Sequence, residues 1–147
     1  MGAPGGPEGE GGPLIDNRSV PGASIIPVLA YPDVVTATEW LCSAFGFAVR
    51  LRIAEHRAQL VFGDGAVIVT QGHGHQCSVH VRVPDADAHH ARAAGFGARM
   101  LSPPSDYPYG ERQYTAEDFA GHRWTFSESL TDVDPAEWGS ELVGATS

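Results

Sequence analysis

The chain repeats itself with an offset of 52 residues. Pro32-Asp33 in the first copy falls on Pro84-Asp85 in the second, and each pair follows a strand-like run and precedes a helix-like one. Both aspartates are suited to begin a helix, because a carboxylate at this place accepts hydrogen bonds from the free amides of the first turn. The repeat therefore predicts two halves of similar structure.

Each copy is predicted to form a strand, a helix and two or three further strands. The first helix carries apolar residues at helical spacing and ends at Gly46, and the second ends in the sequence GFGA. The later strands follow one another too closely for helical crossovers, so the pattern indicates an α+β fold with two βαβββ modules. The strand candidates are VRLRIAE, AQLVFG and AVIVTQG in the first copy and ARMLSPP, RQYTAE and HRWTFSE in the second.

The two ends of the chain differ from its middle. Residues 1–22 hold seven glycines and four prolines with almost nothing apolar to bury, so we predict a disordered tail there. One domain is predicted over residues 23–130, made of modules 23–73 and 76–128, followed by an acidic tail over 131–147. Eight of the 18 acidic residues lie within 1–22 and 128–147, so the net charge of −9 belongs mainly to the ends.

Charge and hydropathy exclude several classes of partner. There is no basic stripe to neutralise phosphates, which disfavours nucleic acid. No apolar run has the roughly 18 residues that a membrane span needs, so we expect no membrane partner and a cytoplasmic location. Cys42 and Cys77 form no C-x-x-C pair, and we expect both thiols to be reduced and inert.

Two motifs in the second copy identify a family resemblance. The turn P-Y-G-x-R comprises Pro108 to Arg112, and D-x-x-G-H-x-W runs from Asp118 through Gly121 and His122 to Trp124. Together with the two βαβββ copies, they resemble the vicinal oxygen chelate superfamily over residues 24–128, in particular its glyoxalase/bleomycin-resistance branch. The resemblance implies a curved, cup-like mixed sheet with helices on the outside, a small-molecule ligand in the cup, and a homodimer.

The resemblance also implies where a metal would bind, and those positions are unsuitable here. Family members that use a metal place ligands at positions that fall on Ile26, Ser78 and Thr125, with a fourth on the strand of residues 66–71. None of these is a carboxylate, imidazole or thiolate, whereas a catalytic cation needs about three protein ligands. We therefore expect no metal cofactor. The alternative is a divalent metal on relocated ligands, for which the candidates are His73, His75, His80 and Glu117.

Strand parity gives His80 a different role. Ser78, His80 and Arg82 share one face of their strand, and in this fold that face lines the cup. His80 is a candidate ligand contact or acid/base residue, or simply a histidine satisfied by its neighbours. Cup arginines would favour carboxylate, phosphate, phenolate or carbonyl oxygens, unless they pair with nearby acids. The candidate ligand-binding residues are Ile26, Val28, Ser78, His80, Arg82, Tyr109, Arg112, Tyr114, Arg123 and Thr125.

Three further expectations concern a structural alternative for one candidate and the placement of side chains that are not ligand-binding candidates. Arg112 has a structural alternative, which is to anchor the PYGER loop. Trp40 is expected in the core under the first helix, and His89 and His90 on the exposed face of the second.

Three functional hypotheses follow. The first is a metal-free protein that holds an oxygen-rich or aromatic natural-product-like molecule, either to sequester an antibiotic or to modify its ligand without a metal. The second is a metal-dependent lyase, isomerase or oxygenase of the glyoxalase or dioxygenase type. The third is a scaffolding or regulatory protein whose tail DVDPAEWGSELV docks on a partner.

Overall fold

The computed structural model describes residues 13–73 and 77–143, and it confirms the two βαβββ modules. No helix in these ranges is long and apolar enough to cross a bilayer. The first module contains β1 (Ile25–Tyr31), α1 (Val34–Phe45), β2 (Ala48–Ile53), β3 (Arg57–Phe62) and β4 (Gly65–Gln71). The second contains β5 (Cys77–Arg82), α2 (Ala86–Gly95), β6 (Arg99–Tyr107), β7 (Glu111–Glu117) and β8 (Arg123–Ser129), followed by a 3-10 helix (Pro135–Trp138) and β9 (Glu141–Leu142).

All nine strands of the described chain form one mixed sheet in the order β6-β7-β8-β5-β1-β4-β3-β2-β9. The modules meet where β1 and β5 run antiparallel, with Ile26 opposite His80 and Val28 opposite Ser78. Within each module the first and last strands run parallel, β1 beside β4 and β5 beside β8. The α+β fold predicted from the sequence is therefore correct.

The predicted helix signals are also confirmed. Asp33 Oδ1 accepts a hydrogen bond of 3.0 Å from the amide of Thr36, and Asp85 Oδ1 accepts one of 3.0 Å from the amide of Ala88. α1 ends at Gly46, whose φ of 84° lies in the left-handed region that favours glycine.

The placement of Trp40 was wrong. α1 turns Val34, Thr38 and Leu41 towards the sheet, and Trp40 lies off this stripe with 57% of its surface exposed. It makes an edge-to-face contact with the equally exposed Phe45 instead. The spacing of the inward stripe, rather than the size of the residue, decides which side chain is buried.

The exposed placement of His89 and His90 was wrong too. Both are half-buried, and the ring of His89 lies 4.1 Å from that of Phe126. His89 Nδ1 also shares a hydrogen bond with the hydroxyl of Tyr114. The inward side of α2 is largely alanine, and the aromatic rings of β7 and β8 fill the space that alanine leaves.

The described parts of the two tails pack against each other and against the sheet. We call residues 15–21 and 131–143 the terminal clasp. Asn17 Oδ1 accepts from the amides of Ser19 and Val133, at 3.1 and 3.2 Å, and Trp138 Nε1 donates to Ser19 Oγ at 2.6 Å. Asn17, Ser19 and Val20 are buried, which differs from the disorder that composition predicts up to Gly22.

Buried polar side chains of the sheet explain why this segment is ordered. Arg50 Nη2 donates to the carbonyl of Arg18 at 2.7 Å, and Gln59 Nε2 donates to that of Ser19 at 3.0 Å. Arg82 donates to the carbonyls of Ile15 and Pro21, at 2.8 and 3.1 Å. A buried polar group without a partner is costly, so the carbonyls of residues 15–21 are part of the fold.

Gly110 provides a test of the clasp. Its φ is 80°, and a Cβ placed there would lie 2.7 Å from the carbonyl oxygen of Thr131 and 2.7 Å from Val133 Cγ2. Gly97 has a φ of 88° and nothing within 4 Å of such a Cβ. We expect Gly97→Ala to lower the free energy of unfolding by about 1 kcal/mol through backbone strain alone. Gly110→Ala should lower it by about 3 kcal/mol, because overpacking is added.

Urea denaturation of both variants would measure this difference. Equal losses of stability in the two variants would show that the clasp does not pack against Gly110.

Candidate functional site

One face of the curved sheet and the terminal clasp enclose a cavity of about 480 Å³, which we call the cup. Its aliphatic lining comes largely from the first module, whereas both modules contribute polar side chains. Tyr109 and Trp138 close one side. The aliphatic lining residues include Ile26, Val28, Ile53 and Ile68, and the polar ones include His56, Arg57, Gln59, Thr70, Ser78, His80, Glu111, Gln113 and Thr125.

A second, more open pocket of about 390 Å³ continues from the cup. The two share Val28, Thr70 and Ser78 in their linings, and the outer pocket also contacts His122 and Arg123. Both of these basic side chains are exposed. The outer pocket is therefore the mouth through which the cup meets solvent, on the side away from Trp138.

His80 lies among the polar lining residues beside a buried carboxyl group. Its Nε2 is 2.8 Å from Ser127 Oγ, with which it shares a hydrogen bond, and 4.0 Å from Glu111 Oε1. Glu111 is fully buried; its Oε1 accepts from Gln113 Nε2 at 2.8 Å and its Oε2 accepts from Ser129 Oγ at 3.3 Å.

Burial is the main cause of the pKa shifts of His80 and Glu111. It lowers the pKa of His80 to about 4, with further lowering by the charges of Arg57 and Arg82. It raises the pKa of Glu111, against hydrogen bonds and the charge of Arg82 that favour the carboxylate. Both shifts favour the neutral forms, so the 4.0 Å contact is not a strong ion pair. At neutral pH His80 carries an uncharged imidazole, which can accept a proton or a hydrogen bond.

Among the described residues that line the cup, Arg57 is the one arginine. Its Nη1 donates to Thr70 Oγ1 at 3.4 Å, a long hydrogen bond. Burial lowers the pKa of Arg57, and the opposing effect of Tyr109 is smaller. The guanidinium stays charged, because even a lowered arginine pKa lies far above neutral pH.

The aromatic side of the cup consists of stacked rings. Tyr109 lies 5.0 Å from Trp138 and 5.5 Å from Tyr107, measured between ring centroids. Burial, with the charges of Glu111 and Tyr107, raises the pKa of Tyr109 to about 12. The phenol is therefore protonated at neutral pH and can donate a hydrogen bond.

The structure brings six of the ten candidate ligand-binding residues into the cup and a seventh to its mouth. Arg123 is the residue at the mouth. Whether these residues bind a ligand, and whether His80 acts as an acid or base, remain predictions. The six in the cup are Ile26, Val28, Ser78, His80, Tyr109 and Thr125.

The other three candidates lie elsewhere. Arg82 is buried: its Nη1 and Nη2 donate to the clasp carbonyls and to Ser129, and its Nε has no hydrogen-bond partner among the described residues. Tyr114 is completely buried on the helix face of the sheet, stacked on Phe126. Arg112 is on the same face and binds Asp106 at 2.7 Å and Asp87 at 3.0 Å, close to its predicted alternative as a loop anchor. Residues of even number on β7 face away from the cup.

Sequence reasoning missed Arg57, Glu111, Gln113 and Trp138. Strand parity could have found two of them: β7 pairs with β8 so that Gln113 lies opposite Ser127 and Glu111 opposite Ser129. Facing pairs point to the same side of a sheet, and by two-residue alternation Ser127 shares the face of β8 with Thr125, a predicted cup residue. The sequence has no comparable signal for Trp138, which comes from a segment predicted to be a tail.

The two motifs of the second module have structural roles here. Asp118 accepts hydrogen bonds from the amides of Ala120 and His122, at 2.9 and 3.0 Å, and from Trp124 Nε1 at 3.1 Å. Gly110 holds the turn between β6 and β7 against the terminal clasp. The first motif also brings Tyr109 and Glu111 into the cup, and the second brings His122 to its mouth.

The residues at the family's metal positions line the cup but do not suit a divalent cation. The repeat makes Val28 equivalent to His80, and Ile68 pairs with Val28 as Thr125 pairs with His80. The fourth position is therefore Ile68, beside Ile26, Ser78 and Thr125. Two isoleucines and two hydroxyl side chains do not form a cation site.

The described members of the relocated ligand set, His73, His80 and Glu117, do not form a metal site either. No group of three or more His, Cys, Asp and Glu suited to a metal occurs within residues 13–73 and 77–143. His73 is exposed, Glu117 binds Arg99 at 3.4 Å, and His75 lies outside the described residues.

His80 leads to a prediction about pH. Its pKa is about 4 in the folded protein against an ordinary 6.5, so between these values the unfolded chain binds more protons. The contribution of His80 to stability is complete above pH 6.5 and is lost as the pH falls to 4, by up to about 3 kcal/mol. We expect His80→Gln to flatten the decline in unfolding free energy over this range. The exposed His122→Gln is the control, and an unchanged slope in His80→Gln would contradict the assignment.

Comparison with known proteins places this geometry in a family. A family model for the Glyoxalase/Bleomycin resistance protein/Dioxygenase superfamily matches residues 25–126. The search of curated proteins gave no match.

Three of the similar solved structures differ in sequence identity to this chain and in TM-score. Streptomyces coelicolor methylmalonyl-CoA epimerase, in complex with 2-nitronate-propionyl-CoA, is 19% identical with a TM-score of 0.60, covering 74% of this chain and 99% of that chain. A superfamily member from Vibrio splendidus is 14% identical with a TM-score of 0.52, covering 70% and 95%. TioX from Micromonospora sp. is 35% identical with a TM-score of 0.35, covering 74% and 100%. The first two share the fold with this chain, and the family model, which matches most of its length, shows that the chain belongs to the Glyoxalase/Bleomycin resistance protein/Dioxygenase superfamily.

Proposed function

We propose that the protein binds a planar, oxygen-bearing aromatic molecule in the cup without a divalent cation. The observation that carries this proposal is the composition of the cup. Aliphatic side chains stand at the metal positions Ile26 and Ile68, and the rings of Tyr109 and Trp138 form one wall. A cavity of about 480 Å³ is of the size that holds small organic ligands.

The placement of polar groups supports the same proposal. Ser78, Thr125 and Gln113 are hydrogen-bonding groups that share the cup with aliphatic and aromatic side chains, and convergent polar groups of this kind fix the orientation of a ligand in small-molecule sites. Flat rings gain contact area against Tyr109 and Trp138 at little cost in conformational entropy. The biological role that we propose is sequestration of a natural-product-like molecule, as in antibiotic resistance.

A second candidate, metal-free modification of the same ligand, is favoured by one observation. His80 is a neutral imidazole beside the buried Glu111, and it lines the cup. Such a histidine can take a proton from a bound acid and return it, which is general acid/base chemistry. Comparing the ligand before and after incubation with wild type and with His80→Gln, by mass and NMR spectra, would separate modification from sequestration.

The proposal predicts that aromatic binding is independent of metal. We expect isothermal titration with 2-naphthamide to give the same Kd in EDTA and with added zinc, iron or manganese. Trp138→Leu should weaken binding roughly tenfold, because it removes an aromatic contact worth about 1 kcal/mol together with buried area. Trp40→Leu, which changes an exposed tryptophan on α1, should leave the Kd unchanged.

Elemental analysis of protein purified without a chelator completes the test. About one metal ion per chain, lost in His80→Ala, would overturn the proposal in favour of the metalloenzyme.

The scaffolding hypothesis has less support, because the described part of the C-terminal segment docks on its own chain. Leu142 pairs with Leu51 in the sheet and Trp138 packs on Tyr109. The homodimer and the cytoplasmic location remain proposals.

A further inference from the structure

Arg57 differs from the other arginines whose contacts surround the cup. Arg50 and Arg82 donate to backbone carbonyls of the terminal clasp at 2.7 to 3.1 Å. Arg50 also donates to Gln59 Oε1 at 2.6 Å, and Arg82 to Ser129 Oγ at 3.2 Å. Arg112 and Arg18 have carboxylate partners within 3.0 Å. In the described chain Arg57 has one hydrogen bond, of 3.4 Å to Thr70, and no ion pair within 4.0 Å.

The surroundings of Arg57 leave its charge without compensation. Among the described residues that line the cup, Glu111 is the one acidic side chain. Its two carboxyl oxygens already accept hydrogen bonds from Gln113 and Ser129. Arg57 is close enough to His80 and Tyr109 for its charge to lower the pKa of both. A partly buried cation without an acidic partner gains most from an anion brought in by a ligand, since burial costs the cation its hydration.

The groups opposite the guanidinium suit an anion as well. Tyr109 has a protonated hydroxyl, and the imidazole of His80 is uncharged at neutral pH. Neither contributes a negative charge that would repel an anionic ligand near Arg57. The guanidinium itself can donate two parallel hydrogen bonds to a carboxylate, which fixes the orientation of a planar acid as well as its position.

We propose that Arg57 anchors the anionic group of an aromatic acid, a carboxylate or an acidic phenolate, whose ring lies against Tyr109 and Trp138. This inference rests on the proposed function and narrows it to a ligand class. From the sequence we expected cup arginines to favour carboxylate, phosphate, phenolate or carbonyl oxygens, and we named Arg82, Arg112 and Arg123. The structure assigns the role to Arg57 because the clasp carbonyls occupy Arg82, acidic side chains occupy Arg112, and Arg123 lies exposed at the mouth.

The test compares two probes of nearly the same shape, the anionic 2-naphthoate and the neutral 2-naphthamide, by isothermal titration at neutral pH in EDTA. We expect wild type to bind the acid roughly tenfold to a hundredfold more tightly than the amide, the range for a charge-assisted hydrogen bond. Arg57→Gln should reduce the affinity for the acid to that for the amide and change the amide Kd by less than about threefold. Arg57→Lys should restore part of the preference, because it keeps the charge without the planar fork.

Arg99→Gln is the matched control, because Arg99 is an exposed arginine that pairs with Glu117 at 3.4 Å. It should bind both probes as wild type does. Equal binding of acid and amide by wild type would overturn the inference about Arg57 and leave the proposed function standing. An equal loss of both probes in Arg57→Gln, at unchanged melting temperature, would also overturn it. If neither probe binds wild type, the proposed function fails and this inference with it.

Discussion

The hydrogen bonds from Arg50, Gln59 and Arg82 to backbone carbonyls of residues 15–21 determine much of this structure. Three polar side chains on the concave face of the sheet are buried, and each needs an acceptor there. The N-terminal segment supplies those acceptors, although it has few apolar side chains of its own. Once held in place, it binds the C-terminal segment through Asn17 and Ser19.

The clasp in turn shapes the site. It brings Trp138 from beyond the second module to the wall of the cup, beside Tyr109. Together with Ser129 it also occupies Nη1 and Nη2 of Arg82, the last residue of β5, which would otherwise face the ligand. Arg57 then remains as the cationic side chain of the cup lining whose N–H groups are largely free to bind a ligand. One set of backbone contacts thus sets both the shape of the cavity and the position of its charge.

The two modules have diverged in chemistry while keeping one architecture. Ile26, Val28 and Ile68 of the first module correspond in the repeat to Ser78, His80 and Thr125 of the second. At these three pairs of positions a ligand in the cup therefore meets aliphatic side chains from the first module and hydrogen-bonding groups from the second. Burial acts in opposite directions on the basic and acidic groups of the second module that line the cup, lowering the pKa of His80 and raising that of Glu111, so both tend towards the neutral form.

The sequence by itself determined the fold and the cup face of its central strands. Capping aspartates, the glycine that ends α1, and two-residue alternation on β5 and β8 are local signals, and each is set by a few neighbouring residues. Only the tertiary structure decided which face of α1 holds Trp40 and that Arg82 donates its hydrogen bonds to the clasp. It also decided that Arg57 and Trp138 both line the cup. Those outcomes depend on contacts between residues far apart in the chain, such as the hydrogen bond from Trp138 to Ser19, and on which buried groups find partners there. Residue types and local spacing carry no information about such partners.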